Sequence, residues 1–335
     1  MQAMARTRIA TTIYNPRLTG RRRSTPTAAT CQEGDAMKKV PATKPGQSTQ
    51  EKCAVSAYLV ACTLCGLAVL WPTPPAGAAD VVTEPFPGVR YVHRHVSEPR
   101  QIDMHVVVID LNRPGVTIKT TGPNDDRPGE TDLETTRAFA KRVEAQIGIN
   151  SGFFSRTAEE RRLGVADLSS LAVSDGVHVS DWGTSFKDAI NIGADNAVSF
   201  VTCAADDPTG YATTPPVKLH NAMSGNARLL RDGVVLPGPG GDATYPQTAV
   251  GHTADHRLIL LVSDGRQPEF SAGMTYGEAA AVLKEFGAVD AIAFDGGGSA
   301  TMVMADGKTG QPRVLNRPSD GQERPVGNNL AIIID

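Results

Sequence analysis

The chain has 335 residues, 33 Lys plus Arg against 36 Asp plus Glu, a formal charge of −3, and 40% hydrophobic but only 5% aromatic residues. This composition excludes a collagen-like repeat, a coiled coil and a polytopic membrane protein. Residues 1–79 carry ten basic residues against three acids, so the remaining 256 residues hold a net charge of −10. An acidic body argues against a nucleic-acid partner, because phosphate-backbone binding needs a basic face.

The front segment accounts for its own charge. Cys53 to Trp71 is an uncharged apolar run preceded by Lys38, Lys39, Lys44 and Lys52, and Pro72, Pro74 and Pro75 stop any helix after it. With Ala76-Gly77-Ala78 behind it, the pattern reads as a secretory signal peptide cut near Ala78 or Ala79, with Met37 a plausible second start. A membrane partner enters only if this segment stays uncleaved. Residues 1–79 are thus a basic leader and signal peptide, and residues 80–100 a linker or lead-in. Cys31, Cys53, Cys62 and Cys65 go with the leader, leaving Cys203 alone and no disulfide in the mature chain.

In chain order, Met104 to Asp110 predicts a strand of β-branched residues ending at the turn Asn112-Arg113-Pro114-Gly115, with Val116 to Thr120 returning as its partner. Asp132 to Gln146 has helical spacing and closes at Gly148. Ile147 to Asn150 reads as a short buried strand, Glu159 to Arg162 as a charged loop, and Leu171 to Val179 as a hairpin on Asp175-Gly176. A second hairpin, Arg228 to Leu236, turns on Asp232-Gly233. A Gly/Pro-rich loop over 237–246 leads into Thr248 to Gly251, and His256 to Ser263 is a nearly continuous apolar strand. Thr275-Tyr276-Gly277-Glu278 is a capping box opening an apolar helix to Phe286, with Gly287 as its stop. Ala291 to Asp295 and Thr301 to Ala305 are strands around three glycines. The pattern predicts an α+β fold, a single domain with a large, mostly antiparallel sheet and a few packed helices.

Four segments place polar groups at strand ends, where enzymes commonly carry chemistry. Asn150-Ser151-Gly152-Phe153-Phe154 offers an amide, a glycine and two aromatics. Ser263-Asp264-Gly265-Arg266 offers a carboxylate and a guanidinium. Phe294-Asp295-Gly296-Gly297-Gly298-Ser299 offers a carboxylate and glycine N–H groups able to face an anion. Asn316 to Pro325 (NRPSDGQERP) adds Arg317, Glu323 and Arg324. Asp-Gly alone is a common turn, but three consecutive glycines exceed what a turn needs and favour close approach to a ligand. The Lys of a nucleotide-binding loop is missing, and the seven histidines have no HExxH-like spacing, so no cofactor and no metal ligand set is indicated by spacing.

Taken together in this order, these segments resemble the phosphodiester glycosidase family, which removes a sugar from a sugar phosphodiester and includes exported bacterial proteins linked to exopolysaccharide. The resemblance rests on Asn150 to Phe154, Ala249 to Arg266, Gly287 to Met302 and Asn316 to Leu330, and covers roughly residues 100–335, making residues 101–335 the phosphodiester glycosidase domain. The chain departs from the family pattern at Gln247, where an Arg is frequent, and at Ser151, where a second Gly is frequent.

The resemblance implies an extracytoplasmic hydrolase cleaving the C–O bond of a sugar 1-phosphodiester in envelope or extracellular glycans, with that phosphodiester or glycan as its partner. The leaving phosphate is weakly basic, so holding its charge and activating water or a nucleophile matters more than protonating it. Asp295 and Asp264 are the natural carboxylate pair, with Glu323 as alternate acid. Arg266 and Arg324 would clamp phosphate, assisted by Arg317 and by Gly152, Gly296, Gly297, Gly298 and Ser299, and Asn150 would bond a sugar hydroxyl. Two other readings stand beside it. One is a metal-dependent phosphodiesterase cleaving P–O with Asp264 and Asp295 as divalent ligands. The other is a noncatalytic glycan-binding module, weakly opposed by Trp182 being the only tryptophan after the leader.

Overall fold

The structure, a computed structural model, describes residues 78–335 except residues 156, 185 and 208; the basic leader and apolar run lie outside the described residues. The chain runs β1 (Ala78–Phe86), β2 (Val89–Val96), β3 (Ile102–Asp110), β4 (Val116–Thr120), β5 (Thr131–Asp132), α1 (Thr136–Arg142), β6 (Ile147–Asn150), α2 (Ala158–Leu163) and β7 (Val165–Ala166). It continues through β8 (Ala172–Ser174), β9 (Val177–Ser180), β10 (Asp188–Ile192), β11 (Val198–Cys203), β12 (Thr213–Thr214), β13 (Asn221–Gly225), β14 (Ala227–Arg231) and β15 (Val234–Val235). The last stretch holds β16 (Gln247–Thr253), β17 (Arg257–Ser263), α3 (Tyr276–Glu285), β18 (Ala288–Ala293), a 3₁₀ turn over Gly297–Ser299, β19 (Met302–Ala305), β20 (Pro312–Val314) and β21 (Asn329–Ile334).

An eight-stranded sheet in the order β1-β2-β3-β17-β16-β18-β14-β15 forms the centre, with a six-stranded sheet β12-β11-β10-β13-β8-β9 and a five-stranded sheet β20-β19-β6-β21-β4. Strand pairings are antiparallel throughout the described residues, as the α+β expectation required. The central sheet is covered on both faces, which is why β3 and β17 read as unbroken apolar runs. On one face Val107, Ile109, Leu258, Leu260 and Ile292 pack with Ile147, Ile149, Leu330 and Ile332 of the five-stranded sheet. On the other, Val106, Val108, Ile259 and Leu261 share a core with Ala279, Ala280 and Leu283 of α3. The predicted capping box holds α3 in place: Thr275 Oγ1 accepts from Glu278 N at 3.1 Å, and Thr275 N donates to Glu278 Oε2 at 2.8 Å. Both predicted Asp-Gly hairpins form, with Asp175-Gly176 and Asp232-Gly233 in the left-handed region that such turns require.

Four expectations are corrected. Val116 to Thr120 is a strand, but it pairs with β21, Ile118 opposite Ile332, rather than with β3; the chain crosses between sheets at the Pro114-Gly115 turn. The helix expected over Asp132 to Gln146 is confined to Thr136–Arg142. Thr135 caps it, while Asp132 and Glu134 are drawn into pairings with Val165 and Val326. Gly148 is not its stop but a strand residue, where a Cβ would press on Val303 and Ala140. The charged segment Glu159 to Arg162 lies in α2, whose capping box is Thr157 with Glu160 and whose end is Gly164 at φ +71. Residues 80–100, expected as a linker, hold the antiparallel strands β1 and β2. The charged residues there hid the strands because Arg94, only 2% exposed, spends its guanidinium on Asp80 at 2.7 and 2.9 Å and on Glu285 at 2.8 Å.

Candidate active site

Antiparallel pairing gathers the motif-bearing strand ends. Gln247 at the start of β16 lies opposite Ser263 at the end of β17, and Ala293 at the end of β18 lies opposite both Ala249 and Ala227. Past these ends lies a cavity of about 400 Å³ lined by Phe153, Asn226, Tyr245, Arg266, Tyr276, Asp295, Gly296, Gly297, Gly298 and Arg324. A larger cavity of about 840 Å³ lies at the 121–134 segment, lined by Asp125, Asp126, Arg127, Asp132 and Glu134 among others. It contains none of the four sequence motifs, and its acids Asp132 and Glu134 are paired with Arg127 and Arg142.

Asp295 is placed through its backbone: its N–H donates to Ser151 O at 3.0 Å and its carbonyl accepts from Asn150 Nδ2 at 2.6 Å. Asn150 itself is fully buried, and its Oδ1 accepts from Thr248 Oγ1 at 2.8 Å and Thr301 N at 3.1 Å. Its amide is therefore spent on holding the Asp295 strand end, and the residue positions the site instead of offering its amide to a sugar hydroxyl. Gly152 sits behind the wall, where a Cβ would press on Ser224 O at 3.2 Å and Asn328 Nδ2 at 3.3 Å.

The glycine run is needed for close approach of the chain's own atoms, with a separate reason at each position. A Cβ at Gly296 would overlap the main-chain oxygen of Pro246, which accepts from Gly297 N at 2.9 Å. Gly297 has φ +60, and a Cβ there would lie 3.0 Å from Arg266 Nη2. A Cβ at Gly298 would overlap the Arg324 guanidinium and the Asp320 carboxylate. Arg324 is held by Asp320 at 2.6 and 2.9 Å and by Ser299 Oγ at 3.0 Å, so Ser299, fully buried, orients the cation. Arg266, a non-glycine residue at φ +60, reaches the same cavity from the turn after β17.

Asp264 is not brought to the cavity wall. Only 1% exposed, its carboxylate accepts from Asn316 Nδ2 at 3.0 Å and from Arg317 N at 2.8 and 2.9 Å. Burial pushes its pKa up to about 6 against the lowering effect of those bonds, with the Asp103 charge adding to the rise. Asp264 thus ties the 316–324 loop to the end of β17. Glu323 is also drawn away: it accepts from Arg137 N at 3.0 Å and pairs with Arg137 Nε at 2.8 Å at the start of α1. An N-terminal helix turn and a guanidinium hold that carboxylate elsewhere. Arg317 is exposed, with its guanidinium 5.3 Å from the Phe270 ring centre. It acts here through its backbone N–H. Gln247, where a cation is frequent in the family, is buried and donates to Met274 O at 3.1 Å.

Three wall residues carried no motif signal. Tyr276 was visible only as the first residue of α3, Tyr245 as part of a Gly/Pro-rich loop, and Asn226 as a residue before a hairpin. Asn226 Nδ2 donates to Tyr276 Oη at 2.5 Å, and the two tyrosine rings meet edge to face at 5.6 Å. Burial, followed by the hydrogen bond with Tyr245, pushes the Tyr276 phenol well above its ordinary range, and the Asp295 charge adds to it. Tyr276 is therefore a protonated hydroxyl beside Asp295.

The family model described as phosphodiester glycosidase matches residues 143–333. The SPbeta prophage-derived uncharacterized protein YomE of Bacillus subtilis is 25% identical over 228 residues, 64% of this chain; the chain spans about a third of that relative's length. Two solved structures share the fold. A hypothetical protein from Synechocystis has a TM-score of 0.59 at 16% identity, over 78% of this chain and 64% of its own. The catalytic domain of zebrafish N-acetylglucosamine-1-phosphodiester alpha-N-acetylglucosaminidase, auto-inhibited by its pro-peptide, has a TM-score of 0.56 at 21% identity, over 78% of this chain and 89% of its own. With more than half of its length matched, and with the motif-bearing strand ends gathered around one cavity, the chain belongs to the phosphodiester glycosidase family.

Proposed function

We propose that this protein hydrolyses the bond between the anomeric carbon and the phosphate oxygen of a sugar 1-phosphodiester in extracytoplasmic glycans. The observation that carries this reading is a single cavity holding one carboxylate, Asp295, with two guanidiniums, Arg266 and Arg324, and the Gly296 to Gly298 backbone. The guanidiniums hold the phosphate, whose departure needs charge stabilisation more than a proton. Asp295 serves as base, nucleophile or stabiliser of the oxocarbenium-like transition state. The Tyr276 hydroxyl, kept protonated and bonded to Tyr245 in the free site, donates to a substrate oxygen once substrate displaces that bond. Asp264, Asn150 and Ser299 hold the machinery in place.

Hydrolysis in heavy-oxygen water tests the reading directly. Label in the sugar supports C–O cleavage, whereas label in the phosphate would replace the glycosidase with a phosphodiesterase acting at P–O. The zebrafish neighbour's name specifies N-acetylglucosamine-1-phosphodiester, so that compound leads the substrate panel. Export rests on the leader, and no helix among the described residues is long and apolar enough to cross a membrane. N-terminal sequencing of material recovered from the medium or envelope, expected to begin near Asp80, tests it.

A further inference from the structure

A second cluster of chemistry-bearing side chains lies on β2 and β3. His93 stands directly opposite His105, and His95 opposite Asp103, in an antiparallel register that puts all four on one face of the sheet. His93 Nε2 is 2.9 and 3.0 Å from the two Asp103 oxygens, and His105 Nε2 is 3.5 Å from Asp103 Oδ1. One donor atom from each of His93, Asp103 and His105 lies within 4.8 Å of the others. The Asp103 and His105 side chains are 5% and 3% exposed, whereas His93 is 40% exposed and opens the cluster to solvent.

We propose that His93 Nε2, His105 Nε2 and the Asp103 carboxylate form a binding site for a divalent transition-metal ion, zinc by the chemistry of the donors, with a fourth position open to water. Two imidazoles and one carboxylate are an N/O donor set of the kind zinc accepts at about 2.0 to 2.2 Å. Tetrahedral geometry at that radius sets donor atoms about 3.3 Å apart; the 2.9 and 3.5 Å separations of the two imidazoles from Asp103 bracket this spacing, and the part-exposed His93 ring, stacked on His105 at 4.6 Å, turns for its lone pair to meet the same ion. Orienting partners are in place. His105 Nδ1 bonds Tyr91 Oη at 2.8 Å, and with Nδ1 as the donor Nε2 presents its lone pair to the ion. His95 Nδ1 lies 3.3 Å from the other Asp103 oxygen and its Nε2 bonds Gln101 Oε1 at 2.6 Å, steadying the carboxylate from outside the three-residue set. Arg313 is a cation whose charge acts on His105, and the Asp103 charge opposes it there.

The ion would join β2 to β3 and fix the segment behind the cavity. Asp103 O accepts from Asp264 N at 2.9 Å, and Asp103 N donates to Ser271 Oγ at 3.1 Å. Linear spacing could not reveal this site, because its donors meet only through the register of two strands.

The test uses the full-length chain without a histidine tag, chelator-stripped and with its cysteines alkylated so that thiols do not compete. It is titrated with Zn²⁺ by calorimetry and with Co²⁺ by visible absorption. One ion per chain and the ligand-field bands of a four-coordinate nitrogen and oxygen site are expected. His93→Gln, at a part-exposed position that preserves the fold by circular dichroism, should weaken Zn²⁺ binding at least about 10-fold, and Asp103→Asn at least as much. His95→Gln, which loosens the carboxylate without removing a donor, should weaken binding by about 10-fold and by less than Asp103→Asn. Failure of the wild-type chain to bind Zn²⁺, or unchanged affinity in folded His93→Gln, overturns the site.

Discussion

Replacing Gly298 with Ala adds one methyl group where the Arg324 guanidinium and the Asp320 carboxylate already sit. Because those atoms are the ends of side chains, the cheapest response is for the pair to retreat. Ordinary contact requires a displacement on the order of 1 Å. Arg324 then loses its 3.0 Å bond to Ser299 Oγ, which aims the guanidinium into the cavity, while its bonds to Asp320 can travel with it. A misplacement of that size in a substrate-holding group costs about 100-fold in rate, or about 2.7 kcal/mol of transition-state stabilisation. Stability should change little, because Gly298 does not have positive φ and no main chain need move. The assay is kcat/KM on a sugar 1-phosphodiester for Gly298→Ala, Arg324→Ala and the double variant, with unfolding midpoints measured alongside. If the glycine acts through the arginine, adding Gly298→Ala to the Arg324→Ala background costs nothing further. A single variant with wild-type kcat/KM, or an undiminished loss in the Arg324→Ala background, would refute the reasoning.

Gly296→Ala should behave in the opposite way, losing about 1 to 3 kcal/mol of unfolding free energy in denaturant titration, because its methyl group meets the Pro246 main-chain oxygen. Asp295→Asn keeps the shape of the wall and removes its carboxylate charge, so turnover should fall at least about 100-fold with the circular dichroism unchanged; retained turnover would remove Asp295 from the chemistry. Burial raises the Asp264 carboxyl to about 6 from an ordinary 3.8, so the native state keeps a proton that the unfolded chain has released. Stability from this group is present below pH 4 and lost as pH rises towards 6, by about 2 to 3 kcal/mol, and this slope should be missing in Asp264→Asn. Thr275→Ala removes the cap of α3 and should cost about 1 kcal/mol while the folded fraction keeps its turnover; loss of turnover without loss of stability would put Thr275 in the site.

Local chemistry was legible wherever a short segment decides its own conformation. Asp175-Gly176 and Asp232-Gly233 formed their turns, and Thr275 with Glu278 capped its helix, because the groups involved lie within four residues of one another. The apolar runs of β3 and β17 announced strands buried on both faces. The glycine run announced a close approach, and the groups that approach it in the structure are Pro246, Arg266, Asp320 and Arg324 of the chain itself. What the sequence could not determine was which carboxylate faces the cavity. Asp264 and Asp295 both end buried strands and both precede glycine, yet Asn316 and the Arg317 N–H, more than fifty residues downstream, turn Asp264 into a tie. Glu323 lies within the same motif as Arg324, but Arg137 at the start of α1 holds its carboxylate. Tyr245, Tyr276 and Asn226 join the wall from a loop, a helix start and a hairpin base because the strand ends of one sheet converge there. The strands β1 and β2 stayed hidden because Arg94 reads as a solvated charge until Asp80 and Glu285 surround it. Each of these outcomes turns on a charge or hydrogen bond closed between residues far apart in sequence, and such pairings are set only by the tertiary arrangement that brings the partners within 3 Å.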